Sequence, residues 1–312
     1  MKRGNKIQSA IATGRFTLPV VAISVLIIWM ISIKPWTDII TMFIYAITGY
    51  LLIELNTAFS LIKVRTTLHV SIYMIATAVC MFLHDFKDIS LIPLLFVYSL
   101  FCFLNSYEHS NPTNTIFSSL FFLGTATILF PYMIFYTPLL LLSMVSFRCM
   151  NIKSFFAALV GIIAPYWIFF AYTFLTDQLN LFLTTFKEMI KISPFNFTDI
   201  KNSELISSII IFSLSFITSL SYFSSSYMDK IRSRVAFTFI IIIELWSLIL
   251  WLLNPSHTAG IMEIQIICYS ILTGRIFAVT KNRFSNIFLI ITILCFVFLA
   301  IYNIWTQFFN FL

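Results

Sequence analysis

The sequence predicts an all-α membrane protein, a single polytopic bundle of about eleven transmembrane helices. Of its 312 residues, 60% are hydrophobic and 10% are charged, and the mean hydropathy is +0.98. A soluble domain carries roughly 25% charged residues, so this chain lacks the polar residues that would cover a surface in water. Its apolar runs are continuous over about 18 to 24 residues, which favours helices, because strands of a membrane β-barrel alternate over about ten.

Apolar windows between polar borders give the positions of the helices. We predict helices near 17–33, 39–62, 67–83, 90–106, 115–130, 133–147, 154–176, 205–225, 235–253, 258–279 and 285–308. Together they form one integral membrane domain, 1–312, without a sizeable soluble part.

The stretch 115–147 fits either one long helix or two short helices broken at 130–132. Loop charge favours two helices, because cytoplasmic loops of membrane proteins are enriched in Lys and Arg. Two helices place 14 of the 19 basic residues on one side: Lys2, Arg3, Lys6, Arg15, Lys63, Arg65, Arg148, Lys153, Lys230, Arg232, Arg234, Arg275, Lys281 and Arg283. The amino terminus is then cytoplasmic and the carboxyl terminus outside, in a multi-pass protein of the plasma (inner) membrane.

The net charge of +7 is also explained by the enrichment of basic residues in cytoplasmic loops. The basic residues occur in short clusters between apolar runs, so they indicate topology, and we expect contact with membrane lipid but no nucleic-acid partner. The five cysteines lie in or beside predicted helices without CxxC spacing, and we interpret them as small apolar side chains.

The longest polar interruption, 177–204, lies on the predicted outer side. Within it, 179–192 places its apolar residues on one stripe, which predicts an interfacial helix on the outer leaflet. A connecting helix that rests on lipid and a lid over an outward-facing site both remain open.

Carboxylates gather on this predicted outer side. Asp38 follows the first helix, and the turn 84–88 contains His84, Asp85, Lys87 and Asp88. An imidazole beside two carboxylates suits a general base or a divalent-cation site. A solvated turn between two helices is the alternative. The sequence therefore does not determine a cofactor, and a divalent metal ion is one possibility that these residues leave open.

Four further residues are candidate functional residues because of their positions in the predicted topology. His257, in the loop 254–258 on the same side, could contact phosphate or a leaving group. Glu54, Glu244 and Glu263 lie inside predicted helices, where ionisable groups are costly and often functional. Each Glu is either part of a proton or cation path, or a neutral group that hydrogen-bonds a neighbouring helix.

The chain has no P-loop, no GxGxxG, no HExxH, no GxSxG and no Cys/His metal-site spacing. ATPases, Rossmann-type enzymes and Cys/His zinc sites therefore have no support in the sequence.

Two segments resemble GT-C type glycosyltransferases. Segment 113–171 has two short helices around a proline break, a basic turn and a helix with Gly161 and Pro165, and segment 254–278 is apolar and begins with a His-bearing loop. In size and helix order the chain is also similar to an uncharacterised family of bacterial polytopic membrane proteins. The first resemblance implies sugar transfer from a polyprenyl-phosphate carrier on the outer side. It implies an acidic residue after the first helix, and Asp38 stands there, although the long outer loop of that group is missing.

Three functions stay open. The first is a lipid-linked sugar transferase, with Asp38 as general base, Asp85 or Asp88 holding a metal, and Lys87 or His257 pairing phosphate. The second is a transporter that uses the intramembrane Glu residues and proline breaks at Pro131 and Pro165. The third is a noncatalytic subunit that works with partner membrane proteins.

Overall fold

The computed structural model describes residues 8, 11–12, 14, 16–33, 36–109, 111–190 and 200–309. These residues form twelve α-helices and no β-strand. The helices are α1 (Thr17–Ser32), α2 (Asp38–Phe59), α3 (Leu68–Val79), α4 (Ile92–Asn105), α5 (Thr113–Leu129), α6 (Thr137–Ser146), α7 (Ile152–Leu175), α8 (Leu179–Ile190), α9 (Asn202–Ser225), α10 (Ile231–Leu253), α11 (Thr258–Val279) and α12 (Arg283–Phe309). Lys2, Arg3, Lys6, Arg15, Lys34 and Lys191 lie outside the described residues, as does most of the polar stretch 191–204.

Each predicted window coincides with an apolar helix. Seven helical segments are long and apolar enough to cross a membrane: Asp38–Phe59, Asp88–Asn105, Ile152–Leu175, Asn202–Met228, Ile231–Leu253, Pro255–Val279 and Arg283–Gln307. Four shorter apolar segments account for the other windows: Thr17–Ser32, Leu68–Val79, Thr113–Leu129 and Pro131–Ser146. The protein is therefore a helical bundle of the multi-pass membrane type.

The break within 115–147 is confirmed. Helix α5 ends at Leu129, and Phe130 is extended, with φ −139° and ψ 97°. A 3₁₀ segment, Pro131–Tyr136, then leads into α6. Proline disfavours a helical conformation in the residue before it, which explains why the chain leaves the helix at Phe130.

The predicted break at Pro165 is wrong. Pro165 lies inside the continuous helix α7 and is buried. Prolines are tolerated within membrane helices when neighbouring groups satisfy the freed backbone carbonyl. The chain therefore has one interrupted helix pair, α5 and α6, in the region where the sequence predicted two breaks.

Helix α11 occupies the centre of the bundle. It contacts α3, α4, α9, α10 and α12, and its whole most apolar 18-residue stretch is buried. Helix α7 is peripheral, since only 22% of the corresponding stretch is buried and it contacts mainly α5 and α8. The bundle thus has a central helix with no access to lipid and an outer helix that is largely exposed.

Two glycines let α5 and α7 approach closely. A Cβ at Gly161 would lie 2.7 Å from the Phe117 carbonyl oxygen, and a Cβ at Gly124 would lie 2.9 Å from that of Ile162. Both contacts are with backbone, which cannot move aside as a flexible side chain would. Small residues at such crossings allow the van der Waals contact that drives helix association in lipid.

The helix predicted at 179–192 is present as α8. Its Phe182 ring lies 5.3 Å from Phe170 and 5.9 Å from Phe169, so α8 rests on α7 through aromatic contacts. Most of its residues are otherwise exposed.

Replacing Gly161 with alanine should destabilise the protein. The new methyl group would overlap the α5 backbone, and overpacking of this kind costs about 1 to 3 kcal/mol. Gly49→Ala is the matched control, because a Cβ there meets side-chain atoms at an ordinary 3.4 Å. Thermal unfolding in detergent should show a lower midpoint for Gly161→Ala only. Equal midpoints for the two variants would contradict close packing of α5 against α7.

Candidate functional site

Asp38 anchors the turn that carries most of the predicted catalytic residues. It is the first residue of α2, is 2% exposed, and its Oδ1 accepts a hydrogen bond of 3.4 Å from the Phe86 backbone N–H. A carboxylate at a helix amino terminus is also favoured by the helix dipole. Asp38 therefore joins the start of α2 to the turn 84–88 from a buried position.

His84 points into the bundle, whereas Asp85, Lys87 and Asp88 are exposed. Its ring is 1% exposed and stacks on Trp29 with centroids 3.7 Å apart. Nε2 donates to the Thr77 carbonyl oxygen at 3.2 Å, so Nδ1 is the acceptor, 2.5 Å from Ser32 Oγ. Burial lowers the pKa of His84 to about 4, against a smaller opposing effect of backbone hydrogen bonds. The imidazole is neutral at pH 7 and ties α1 to α3.

The exposed part of the turn borders a polar cavity of about 210 Å³. Asp85 and Lys87 lie 3.8 Å apart on one wall. The other wall comes from the start of α9 and the end of α12: Lys201, Ser203, Glu204, Asn303, Thr306 and Gln307. Two lysines and two carboxylates therefore meet at this end of the bundle.

His257 lies apart from this cavity. It ends the 3₁₀ segment Pro255–His257, and its ring lies 4.0 Å from Tyr132 and 5.9 Å from Phe130. Gly260, one turn on, is packed so closely that a Cβ would lie 2.7 Å from the Phe130 ring. His257 therefore belongs to the packing between the start of α11 and the break after α5.

Glu263 is fully buried on the central helix. It is 1% exposed, and the Tyr45 hydroxyl of α2 donates to its Oε1 and lies 3.0 Å from the Leu83 carbonyl oxygen. No described residue hydrogen-bonds to Oε2. Tyr45 in turn contacts Trp29, at 6.0 Å between centroids, and so connects Glu263 to the packing around His84.

Glu244 lies in a second buried cluster, on the other side of α11. It is 2% exposed, and Ser219 Oγ donates to its Oε2 at 2.8 Å. Ser215, one turn earlier on α9, accepts from Gln265 Nε2 at 2.5 Å. Among the described residues, Glu244 Oε1 and Gln265 Oε1 have no hydrogen-bond partner. Three helices thus meet around a carboxyl and an amide that each keep a free acceptor.

These contacts are part of a longer polar seam between α9 and α11. The seam continues at Thr218, whose Oγ1 lies 3.4 Å from Thr273 Oγ1, and ends where Ser225 accepts from Arg275. Its members on α9 are buried and occupy positions i, i+3, i+4, i+7 and i+10: Ser215, Thr218, Ser219, Tyr222 and Ser225. These positions share one face of a helix, so α9 presents a polar stripe to the central helix and, at Ser219, to Glu244 of α10.

Arg275 closes the seam with a buried ion pair. Its side chain is 0% exposed, its Nη2 lies 2.8 Å from Asp229 Oδ2, and its guanidinium carbon lies 4.8 Å above the Tyr222 ring. The sequence analysis placed Arg275 inside the helix 258–279 and counted it with the basic residues of the cytoplasmic side. It did not predict that this side chain is buried and paired with Asp229.

Glu54 is separate from the other two intramembrane carboxyls. It lies on the exposed side of α2 beside Tyr50, with which it forms a side-chain hydrogen bond. The predicted path through three Glu residues therefore reduces to Glu244 and Glu263. In the part of the chain that the structure describes, no three His, Cys, Asp or Glu side chains are grouped so as to hold a metal ion.

Comparison with protein-family models, with curated proteins and with solved structures finds no match to this chain. The resemblance to GT-C glycosyltransferases therefore rests on segments 113–171 and 254–278 of the sequence alone.

Acid should weaken the packing around His84. Its folded-state pKa is about 4, below the usual 6.5, so the unfolded chain binds more protons between these values. Stability from the neutral imidazole is complete above about pH 6.5 and is lost as pH falls toward 4, by up to about 3 kcal/mol. Thermal midpoints measured across this range should fall in the wild type and stay flatter in His84→Asn.

His109→Gln serves as the control, because His109 is exposed. It should keep the pH dependence of the wild type. An identical acid profile for His84→Asn and the wild type would rule out His84 as its source.

Proposed function

We propose that this protein is a proton-coupled membrane transporter in which Glu244 and Glu263 are the protonation sites. The observation that carries the proposal is the polar seam along α11, a helix that is buried throughout yet carries Glu263, Gln265 and Arg275. Ionisable groups at such depth are costly and mark ion or proton paths in membrane proteins.

The free acceptors support protonation as the chemistry of the seam. A buried carboxyl is tolerated when it is protonated or paired, and an unpaired charged form is very costly. Glu244 and Glu263 each have one oxygen bonded by a hydroxyl and one oxygen without a described partner. Each carboxyl can therefore take up a proton on the free oxygen without breaking its existing hydrogen bond.

The length of the seam supports a path rather than an isolated contact. Gln265 and Arg275, the ends of the seam on α11, are ten residues apart, which corresponds to about 15 Å at the rise of an α-helix. Hydroxyl groups from α9 fill the interval and can both donate and accept. The buried pair Arg275–Asp229 closes one end, and Gln265 with Ser215 lies at the other, whereas Glu263 with Tyr45 lies on the other side of α11.

We further propose that the chain crosses the plasma membrane eleven times, with the amino terminus in the cytoplasm and the carboxyl terminus outside. Seven long helices and four shorter apolar segments supply the crossings. The distribution of the basic residues supports the orientation, because Lys and Arg concentrate on the cytoplasmic side of membrane proteins.

Glu→Gln variants test the transport proposal. Glutamine can still accept from Ser219 or Tyr45 but cannot titrate, so Glu244→Gln and Glu263→Gln should fold and lose proton movement. Two measurements apply to protein in liposomes: infrared difference spectra of the carboxyl carbonyl after a pH jump, and proton flux under a pH gradient. We expect the spectrum of each variant to lack one component of the wild-type carbonyl signal. We also expect each variant to show no proton flux.

Glu54→Gln is the matched control, because Glu54 is exposed on α2. Its flux should equal that of the wild type. If Glu244→Gln and Glu263→Gln also kept the full flux and an unchanged carbonyl signal, the two carboxyls would be structural hydrogen-bond partners, and the transport proposal would fail.

A second function, lipid-linked sugar transfer in envelope glycan assembly, is favoured by the cavity beside the turn 84–88. There, Asp85 or Glu204 can accept a proton from the acceptor hydroxyl. Lys87 and Lys201 can pair with the phosphate of the sugar donor. In this proposal Asp38 holds the turn in place, because it is 2% exposed and hydrogen-bonded to Phe86. The substrate would be a polyprenyl-phosphate-linked sugar, as the GT-C resemblance implies.

Neighbouring carboxylates of the same turn test this second function. Asp85→Asn should reduce glycan assembly by about 10²-fold or more, as expected for loss of an acid–base group, in a strain without the wild-type copy. Asp88→Asn should have no effect, since Asp88 is exposed but does not line the cavity. Normal glycan assembly with Asp85→Asn would exclude the transferase role.

A further inference from the structure

Two adjoining cavities open where α2 ends and α3 begins, at the end of the bundle opposite the turn 84–88. Their volumes are about 440 and 640 Å³, and they share Asn56, Thr57 and Arg65 as lining residues. Neither cavity includes Glu244 or Glu263. Together they form a site, which we call the basal site, that the proposed transport function does not use.

The basal site is positively charged. Lys63, Arg65 and Lys230 line it, all three are exposed, and none has an acidic partner within ion-pair distance in the part of the chain that the structure describes. Asp229 also lines it, but this carboxylate is neutralised by Arg275 at 2.8 Å. The charge that remains is cationic, so the site suits an anion.

His69 adds a buried acceptor to the same site. It lines the larger cavity and is 2% exposed. Its Nε2 lies 3.1 Å from the Leu52 carbonyl oxygen, which can only accept, so Nε2 carries the proton. Nδ1 is then a lone-pair acceptor and has no described partner. A buried acceptor of this kind calls for a ligand that can donate a hydrogen bond.

The third wall of the basal site is apolar and belongs to the membrane-facing helices. Leu18 and Pro19 come from the start of α1, and Ile53 comes from α2. Both helices pack on α3, and Pro19 and Thr57 on the rim are exposed. A ligand in the basal site therefore contacts cationic groups on one side and apolar helix surfaces on the other, which is the environment of a phospholipid at the membrane surface.

We propose that the basal site binds an anionic phospholipid whose headgroup carries a hydroxyl, as phosphatidylglycerol does. The phosphate pairs with Lys63 and Arg65, a headgroup hydroxyl donates to His69 Nδ1, and the acyl chains leave along Leu18 and Ile53. Clusters of basic side chains at the membrane surface attract anionic lipid by about 1 kcal/mol for each Lys or Arg. This inference is independent of the transport and transferase proposals.

Lipid titration of the purified, delipidated full chain tests the proposal. Thermal midpoints are measured against four added compounds: phosphatidylglycerol; phosphatidylethanol, which has the same charge without the hydroxyls; zwitterionic phosphatidylcholine; and soluble glycerol 3-phosphate. We expect saturable stabilisation by phosphatidylglycerol, weaker stabilisation by phosphatidylethanol, and none by the other two. Arg65→Gln should raise the phosphatidylglycerol concentration that gives half-maximal stabilisation roughly fivefold.

Lys153→Gln is the matched control, an exposed lysine at the start of α7 away from the basal site. It should bind phosphatidylglycerol like the wild type. Equal binding of phosphatidylglycerol by Arg65→Gln and Lys153→Gln would overturn the site. Equal stabilisation of the wild type by phosphatidylethanol and phosphatidylglycerol would overturn the role of His69. Stabilisation by glycerol 3-phosphate that matches phosphatidylglycerol would overturn lipid as the occupant.

A wild-type measurement covers the case in which Arg65→Gln does not fold. Photoreactive phosphatidylglycerol is crosslinked to the unmodified protein, and the adducts are mapped by mass spectrometry. Adducts near Leu18, Pro19 and Ile53 that excess phosphatidylglycerol displaces support the proposal. Adducts spread evenly over the lipid-facing helices would overturn it.

Discussion

Helix α11 is surrounded by other helices, so each polar side chain that it carries must find its partner within the protein. Much of the arrangement around it follows from this constraint. Stripe residues of α9 provide oxygen atoms for Gln265 and Arg275, and α2 provides Tyr45 for Glu263. In a bilayer there is no water to replace a missing partner, and these contacts therefore fix how the helices are rotated against α11 as well as which helices touch.

The two ends of the bundle have different chemistry because their charged residues are differently paired. At the end with the turn 84–88, acidic and basic groups occur together and share one small cavity, while Asp38 and His84 are withdrawn into the packing. In the basal site at the opposite end, Asp229 forms an ion pair with Arg275, and the other charged side chains of the lining, Lys63, Arg65 and Lys230, are positive. The chain therefore presents a cavity of mixed charge at one end and a cationic site at the other.

The positions of the helices could be predicted because lipid-compatible runs and their polar borders are local properties of a sequence. The break at Phe130 was also readable, since Pro131 acts on the residue before it. The direction in which each side chain faces could not be predicted. Lipid and the protein interior are both apolar, so a helix between them shows little periodicity in its sequence. Glu54 therefore proved exposed. Arg275 pairs with Asp229, which is distant in sequence, so tertiary structure alone places it inside the bundle.

The burial of α11 also bears on how the protein is made. It is the least apolar of the seven long helices, and it follows α3, α4, α9 and α10 in the chain. Its main partners are therefore already in the membrane when α11 leaves the ribosome, and only α12 comes later. Until that moment the stripe residues of α9 that contact α11, such as Ser215 and Ser225, have nothing to cover them except the insertion machinery or lipid. A ribosome that stalls after α10 would leave an incomplete product with this stripe uncovered, a feature that membrane quality-control proteases can recognise.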